Sequence, residues 1–238
     1  MAREYRQPTW RSAGKASPSG YGFRSMLREI LGQLKGSRPE IVVFAPFSFP
    51  AANKPSHSEL FPRGSSHRIV VIETRGTGGP RTEVYFSHKP HPVTLMQYFA
   101  TSKQVGRQRD FRRNVDGRRF GRTLLMLCGE TNIVGTREKM SKIVDEHRFR
   151  SWLKALGIKL ILNPVHSFMK RPEMRIKREA LSKSGALLVS VWNRGLMGGG
   201  EAGVPWAAYL DGDEISDRIK RIASPSHGRS YWIGLVKV

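Results

Sequence analysis

One run of the chain joins an apolar strand to a polar turn: Leu124-Leu125-Met126-Leu127-Cys128-Gly129-Glu130-Thr131-Asn132. Four apolar residues in succession are typical of a strand that is buried on both faces, as in a parallel sheet covered by helices. Gly129 allows a sharp turn directly after the cysteine. Because ligand sites of open α/β sheets lie at the carboxyl ends of the strands, the run predicts that Cys128 lies at such a site.

The segments on either side predict further strands and helices in an α/β order. Upstream we predict a helix over 23–35 and strands at Glu40–Ala45, Arg68–Thr74 and Thr82–Ser87. Downstream we predict a long amphipathic helix over 136–156, a strand at Ile158–Leu162, a helix from Pro172 to Gly185, a strand at Ala186–Trp192, a hairpin turning at Asp211-Gly212 and a last strand at Tyr231–Val236. The alternation in the second half, with hairpins elsewhere, predicts an α/β fold with mixed sheets covered by helices.

Composition limits the class of protein. The chain has 238 residues, 41 Lys and Arg against 19 Asp and Glu, and a formal net charge of +22. No apolar stretch approaches the roughly 18 residues that span a bilayer, and no apolar segment follows the basic N-terminus, so we expect a soluble cytoplasmic protein with no secretory signal. Residues 1–22 are basic and rich in Ser, Gly and Pro, which predicts a flexible arm before a single domain over 23–238.

The single cysteine excludes an internal disulfide and a multi-thiolate zinc site. Two interpretations of Cys128 stand on local sequence alone. A thiol at a strand end attacks as a thiolate when a base or cation lowers its pKa. A lone cysteine is otherwise an inert core residue. The histidine spacings follow no zinc pattern, so we expect no metal. The glycines at 195–203 lack the strand-turn-helix setting of a phosphate loop, so we expect no cofactor either.

The order of the segments resembles the nitrilase, or carbon–nitrogen hydrolase, superfamily. The resemblance covers about residues 22–238 and rests on Cys128-Gly129-Glu130 after a buried strand, Asn163-Pro164 after the next strand, Arg178-Glu179-Ala180 in a helix, the segment Leu188 to Gly195 and the Asp-Gly hairpin. It implies a nitrilase-like α-β-β-α sandwich with mixed sheets. It also implies hydrolysis of a non-peptide amide or nitrile through a thioester on a cysteine, and a homodimer.

The same resemblance implies roles for particular residues. The family uses a Glu–Lys–Cys triad, in which the cysteine matches Cys128 and the lysine matches Lys89, while Glu130 matches a carboxylate near the nucleophile. The glutamate is not matched, because Pro46 is followed by Phe47. Glu59 and Glu73 are the substitute bases that we consider, and Asn132, His166 and Asn193 are expected to line the substrate pocket.

Two other functions remain open at this point. A chain that lacks the family glutamate fits a nitrilase-fold pseudoenzyme that binds a partner. The net charge fits a polyanion-binding protein, since residues 103–122 hold eight cations and two aspartates with Phe111 and Phe120 between them. Arginine binds phosphate and aromatic rings stack on bases, which suits nucleic acid. A second basic cluster consists of Lys170, Arg171, Arg175, Lys177 and Arg178. Both clusters can also be explained as a solvated basic surface, or as charged residues around the active-site entrance that select an anionic substrate.

Overall fold

The computed structural model describes residues 3–5, 28–29, 32–34, 41–47, 56–61, 68–74, 81–87, 91, 93–96, 98, 108–137, 142–165, 172–192, 206–223 and 231–236. Its strands are β1 (Arg3–Tyr5), β2 (Ile41–Phe47), β3 (Arg68–Thr74), β4 (Arg81–Phe86), β5 (Val93–Met96), β6 (Arg119–Phe120), β7 (Thr123–Leu125), β8 (Gly135–Arg137), β9 (Lys142–Val144), β10 (Leu160–Val165), β11 (Leu187–Trp192), β12 (Trp206–Leu210), β13 (Asp213–Glu214), β14 (Lys220–Ala223) and β15 (Tyr231–Leu235). Its helices are α1 (His57–Leu60), α2 (Gln108–Arg113), α3 (Val115–Arg118), α4 (Phe149–Ala155) and α5 (Pro172–Ser182), with 3₁₀ turns at Cys128–Ile133 and Ser216–Arg218.

A six-stranded sheet forms the centre of the described fold, in the order β13-β12-β11-β10-β7-β6. Strands β7 and β11 both pair with β10 in parallel, whereas β6 and β12 add at either side in antiparallel fashion. A second sheet has the order β2-β3-β4-β5, in which β2 and β3 are parallel and the other pairs antiparallel. A third sheet has the order β1-β15-β14, and β8 and β9 form a two-stranded sheet.

Side chains of the central sheet alternate between two cores. Leu125 and Leu127 point to a core that includes Val84 and Phe86 of the second sheet. Leu124 and Met126 point to the opposite core, which includes Phe149 of α4 and other helical residues. Because strand side chains alternate between faces, the central sheet is covered by a sheet on one side and by helices on the other.

The predicted fold class, α/β with mixed sheets packed as a sandwich, is confirmed by this arrangement. The strand at Arg68–Thr74 has its predicted bounds, and α5 begins at the predicted Pro172. Of the predicted N-terminal arm, Arg3–Tyr5 is a strand paired with β15, and the rest lies outside the described residues. The expected helix over 23–35 is described at residues 28–29 and 32–33, which are helical.

The long helix predicted over 136–156 is wrong. Strands β8 and β9 form an antiparallel pair there, and the helix begins only at Phe149. Ile143 and Val144 are β-branched, which favours a strand. Asp145 accepts hydrogen bonds from the backbone N–H groups of Phe149 and Arg150, which starts the helix at that point.

The strand predicted at Ile158–Leu162 also differs, because it continues through Asn163-Pro164 to Val165. Met126 donates its backbone N–H to the carbonyl of Leu162, so alternate residues of β10 face β7. The backbone of Pro164, like that of Leu162, faces β7. Because Pro164 lies beyond the last residue that pairs with β7, the N–H that proline lacks is not needed for a hydrogen bond between the strands.

Among the described residues, none of the helices combines the length and the apolar character that crossing a membrane requires.

Candidate active site

Cys128 lies where the central strand β7 ends. Its backbone begins the 3₁₀ turn Cys128–Ile133, which we call the cysteine turn. The residue is partly exposed, whereas Leu127 before it and Gly129 after it are buried. Cys128 therefore lies at the carboxyl end of a buried parallel strand, the position that the sequence predicted, and it packs against the core that includes Phe149.

A buried polar ladder joins the carboxyl ends of the three parallel strands. The Asn163 side-chain amide donates to the Met126 carbonyl at 2.9 Å, and the Ser190 hydroxyl donates to Asn163 Oδ1 at 2.9 Å. Both side chains are fully buried. Because a buried polar group costs free energy unless it is paired, these contacts fix the strand ends on which the cysteine turn is built.

Glu130 anchors the cysteine turn. Its carboxylate is fully buried and accepts the backbone N–H of Leu127 at 2.7 Å, the backbone N–H of Tyr98 at 3.1 Å and Arg118 Nη1 at 2.6 Å. Burial raises the pKa of Glu130 to about 7, outweighing the opposing effects of the Arg118 charge and the two backbone amides. The Glu130 carboxylate thus ties the cysteine turn to the residue before it, Leu127, and to the segment after β5.

The guanidinium of Arg118 completes this anchor. Its side chain is 1% exposed and stacks over the rings of Phe111, at 4.8 Å, and Tyr98, at 5.1 Å. Contacts with aromatic faces and with a carboxylate lower the free-energy cost of burying a guanidinium.

The Asn132 side chain, which we expected to contact substrate, accepts a hydrogen bond from a buried lysine. Lys177 of α5 is 1% exposed and donates to Asn132 Oδ1 at 2.7 Å and also to Glu173. This contact attaches α5 to the cysteine turn. The sequence had grouped Lys177 with a solvated basic cluster, so its burial was missed.

Arg178 is a buried, incompletely paired cation that interacts electrostatically with Cys128. Its side chain is 3% exposed, and Nε and Nη2 have no hydrogen-bond partner among the described residues. Burial lowers the pKa of Arg178, while a hydrogen bond to Tyr209 and the negative charge of the Cys128 thiolate oppose that effect. Tyr209 in turn has its pKa raised by burial, against the charge of Arg178.

The second sheet brings Glu73 towards the same end of the sandwich. Strands β5 and β3 are each antiparallel to β4 and so run in the same direction. Tyr98, two residues beyond β5, contacts Glu130, which places the carboxyl end of β5 against the cysteine turn. The carboxyl ends of β2 and β3 point the same way, and there Phe47 pairs in register with Glu73.

Other predicted site residues receive no description of their side chains. Lys89, His166 and Asn193 lie outside the described residues, and Glu59 is described only as part of the backbone of α1. No group of three or more His, Cys, Asp or Glu among the described residues could hold a metal ion.

Residues 108–122 are folded rather than an exposed basic segment. They form α2, α3 and β6, and Phe111 and Phe120 are 0% and 6% exposed within the two cores. These rings therefore cannot stack on nucleic-acid bases. Of the eight cations, Arg118 is buried as well.

Comparisons with known proteins find similar structures but no matching sequence. No protein-family model matches the chain, and no curated protein matches it. The chain is similar in structure to an amidase of the nitrilase superfamily from Nesterenkonia sp. AN1, studied as a cysteine-to-alanine mutant, with 12% identity, a TM-score of 0.43 and coverage of 90% of this chain and 84% of that one. It is also similar to the glutamine-dependent NAD⁺ synthetase of Acinetobacter baumannii, with 11% identity, a TM-score of 0.40 and coverage of 90% of this chain but 42% of that one.

Proposed function

We propose that this chain is a cysteine-dependent carbon–nitrogen hydrolase acting on a non-peptide amide or nitrile. The observation that carries the proposal is a partly exposed Cys128 at the end of a central strand that interacts electrostatically with the buried, incompletely paired guanidinium of Arg178. An inert core cysteine has no need of a buried cation, whereas a nucleophilic thiolate is stabilised by one.

The chemistry on an amide has two halves. The Cys128 thiolate forms a bond to the carbonyl carbon, and the resulting tetrahedral oxyanion collapses by breaking the C–N bond, so that the amine leaves with a proton. Water then attacks the thioester carbon, the C–S bond breaks, and a carboxylic acid and the free thiol are produced. A base must take the proton of the thiol and later that of water.

Arg178 suits the first half because its charge opposes that of the thiolate and its two unpaired donors are already dehydrated. Preorganised donors in a dry site need no reorganisation when negative charge develops. Lys89 is the cationic stabiliser that the family resemblance implies, and we retain it in that role.

Glu73 and Glu59 are the two candidates for the base, and their variants distinguish them. Phe47 stands where the family has its glutamate, and Glu73 is its neighbour in the register of β2 and β3. Glu73 pairs with Glu83, however, and the next pair, Ile72 with Val84, is on the face towards the central sheet, so the backbone register places Glu73 on the other face of the second sheet.

The first test is the rate of Cys128 modification by fluoroacetamide as a function of pH. Carbon–fluorine bonds resist ordinary thiols, so rapid labelling requires an activated thiolate held against an amide site. We expect labelling that Cys128→Ser abolishes and that Arg178→Met slows about tenfold or more at pH 7. Arg175→Met is the matched control, since Arg175 lies on the same helix but is 61% exposed and paired with Glu179.

Labelling no faster than that of a free thiol, or equal effects of the two arginine variants, would disprove the proposal. Circular dichroism establishes that each variant is folded. Release of ammonia from a panel of small aliphatic amides then measures turnover.

A second candidate is a pseudoenzyme of the same fold that retains the site for binding. Phe47 favours it, because phenylalanine cannot accept a proton. Rapid labelling of Cys128 combined with an absence of turnover on every amide and nitrile tested would select this alternative.

A further inference from the structure

A basic cavity lies on the helical side of the central sheet, away from Cys128. It has a volume of about 300 Å³ and is lined by Asp145, Arg148, Arg150, Ser151, Lys154, Lys183 and Ser184. Lys183 and Ser184 immediately precede β11, whereas Cys128 follows β7. Since β7 and β11 both run parallel to β10, the cavity and the cysteine lie at opposite ends of the sheet.

The acidic residue of this cavity is already neutralised. Asp145 is 6% exposed and accepts Arg150 Nε at 3.1 Å in addition to the backbone N–H groups of Phe149 and Arg150. Its two oxygens are therefore committed to the start of α4 and to one cation. They do not compensate the other charges of the cavity.

Three cations remain without a counter-charge. Within the described part of the chain, no carboxylate forms an ion pair with Arg148, Lys154 or Lys183. All three side chains are exposed at the mouth of the cavity. Like charges repel when they are held together, so such a grouping is stabilised when an anion lies between them.

Two further features of the cavity favour the binding of an anion. The Ser184 hydroxyl is buried and has no hydrogen-bond partner among the described residues, which leaves a donor unused. Arg148 has a left-handed backbone, with φ of 50°, and its N–H donates to the Asp145 carbonyl at 3.0 Å. A non-glycine residue is rarely held in this conformation, so the surrounding structure fixes where its side chain emerges.

We propose that this cavity binds a phosphate group. Its volume is at the low end for ligand sites, which suits a phosphate or diphosphate better than a large apolar molecule. Arginine can contact phosphate oxygens in a bidentate manner and lysine acts as a point charge, so three cations match a multiply charged anion better than a single carboxylate. The inference is independent of the chemistry at Cys128.

The test is calorimetric titration of the full chain with inorganic pyrophosphate at low ionic strength. We expect saturable binding of about one pyrophosphate per chain, and sodium chloride of matched ionic strength should produce no comparable heat. The double variant Lys154→Glu, Lys183→Glu should weaken binding about tenfold or more, because two charge-assisted contacts become repulsive. Lys220→Glu, an exposed lysine on β14 outside the cavity, provides the matched control and should change binding less than about threefold.

The absence of saturable binding, or equal weakening by the control, would overturn the proposal. A short single-stranded oligonucleotide distinguishes the source of the phosphate. If it displaces pyrophosphate, the group is that of a nucleic-acid backbone; if pyrophosphate binds without such displacement, the ligand is a small phosphate compound. Oligonucleotide binding without any pyrophosphate binding would reflect the general +22 field and would also overturn the proposal.

Discussion

The Glu130 carboxylate makes the contacts that hold the cysteine turn in place, and its protonation should therefore affect stability. It reaches Leu127 of the same chain segment, Tyr98 after β5 and the buried Arg118. Each contact joins the turn to a different part of the fold. Loss of this carboxylate would move the thiol as well as destabilise the chain.

Stability should fall as the pH rises through the pKa of Glu130. Burial raises that pKa from its ordinary value of 4.5 to about 7, so the folded chain binds a proton that the unfolded chain has released. The contribution of the protonated group is complete below pH 4.5 and is lost by about pH 7. The wild type minus Glu130→Gln difference in unfolding free energy should therefore decrease by roughly 3 kcal/mol over this range. Urea unfolding of both proteins at several pH values measures it, and a difference that grows with pH would contradict the assignment.

At the residue scale the sequence placed Cys128 at the end of a buried strand, where the structure has it, but missed the burial of Lys177 and Arg178. A strand of four apolar residues followed by Cys-Gly is a local signal. Lys177 and Arg178 carry no such signal, because charged residues in a helix are usually solvated and their burial depends on distant partners such as Asn132 and Tyr209. The contact of Arg118 with Glu130 was missed for the same reason.

At the element scale, the start of α4 depends on one side chain. Arg148, before the helix, provides no side-chain cap, and Asp145 accepts the N–H groups of Phe149 and Arg150 instead, at 2.7 and 3.1 Å. Asp145→Ala should lower the free energy of unfolding by about 1–2 kcal/mol, as loss of a helix cap does. Asp116→Ala is the control: Asp116 is 81% exposed and pairs only at the surface with Arg119, so it should cost less than about 0.5 kcal/mol. Chemical denaturation compares them, and equal effects would exclude the capping role.

The elements that the sequence predicted well are those whose signal is local. Strand β3 is β-branched throughout its centre, and α5 begins at a proline suited to a first helical turn. The segment 136–156 was mistaken for one helix because its apolar residues fit helical spacing. The spacing could not reveal that β8 and β9 pair with each other or that Asp145 starts the helix late.

At the scale of the whole molecule, the candidate base Glu73 belongs to the second sheet, whereas Cys128 follows a strand of the central sheet. The order of elements predicted mixed sheets covered by helices, and the family resemblance implied the sandwich. The sequence could not assign a base, because strand register decides which residue lies next to Phe47, and the 25 residues between Phe47 and Glu73 give no sign of that pairing.

This register leads to the last prediction. If Glu73 supplies the base that Phe47 cannot, Glu73→Gln should slow fluoroacetamide labelling of Cys128 at pH 6 by about 100-fold, the usual scale of general-base catalysis. The rate should recover as the pH rises, because hydroxide ionises the thiol when no base is present. Glu59→Gln, the other carboxylate suggested by the sequence, is the control and should label within about threefold of wild type. A loss with Glu59→Gln rather than Glu73→Gln would assign the base to the segment before β3, whereas no loss with either would leave Arg178 alone to activate Cys128 and would favour the pseudoenzyme.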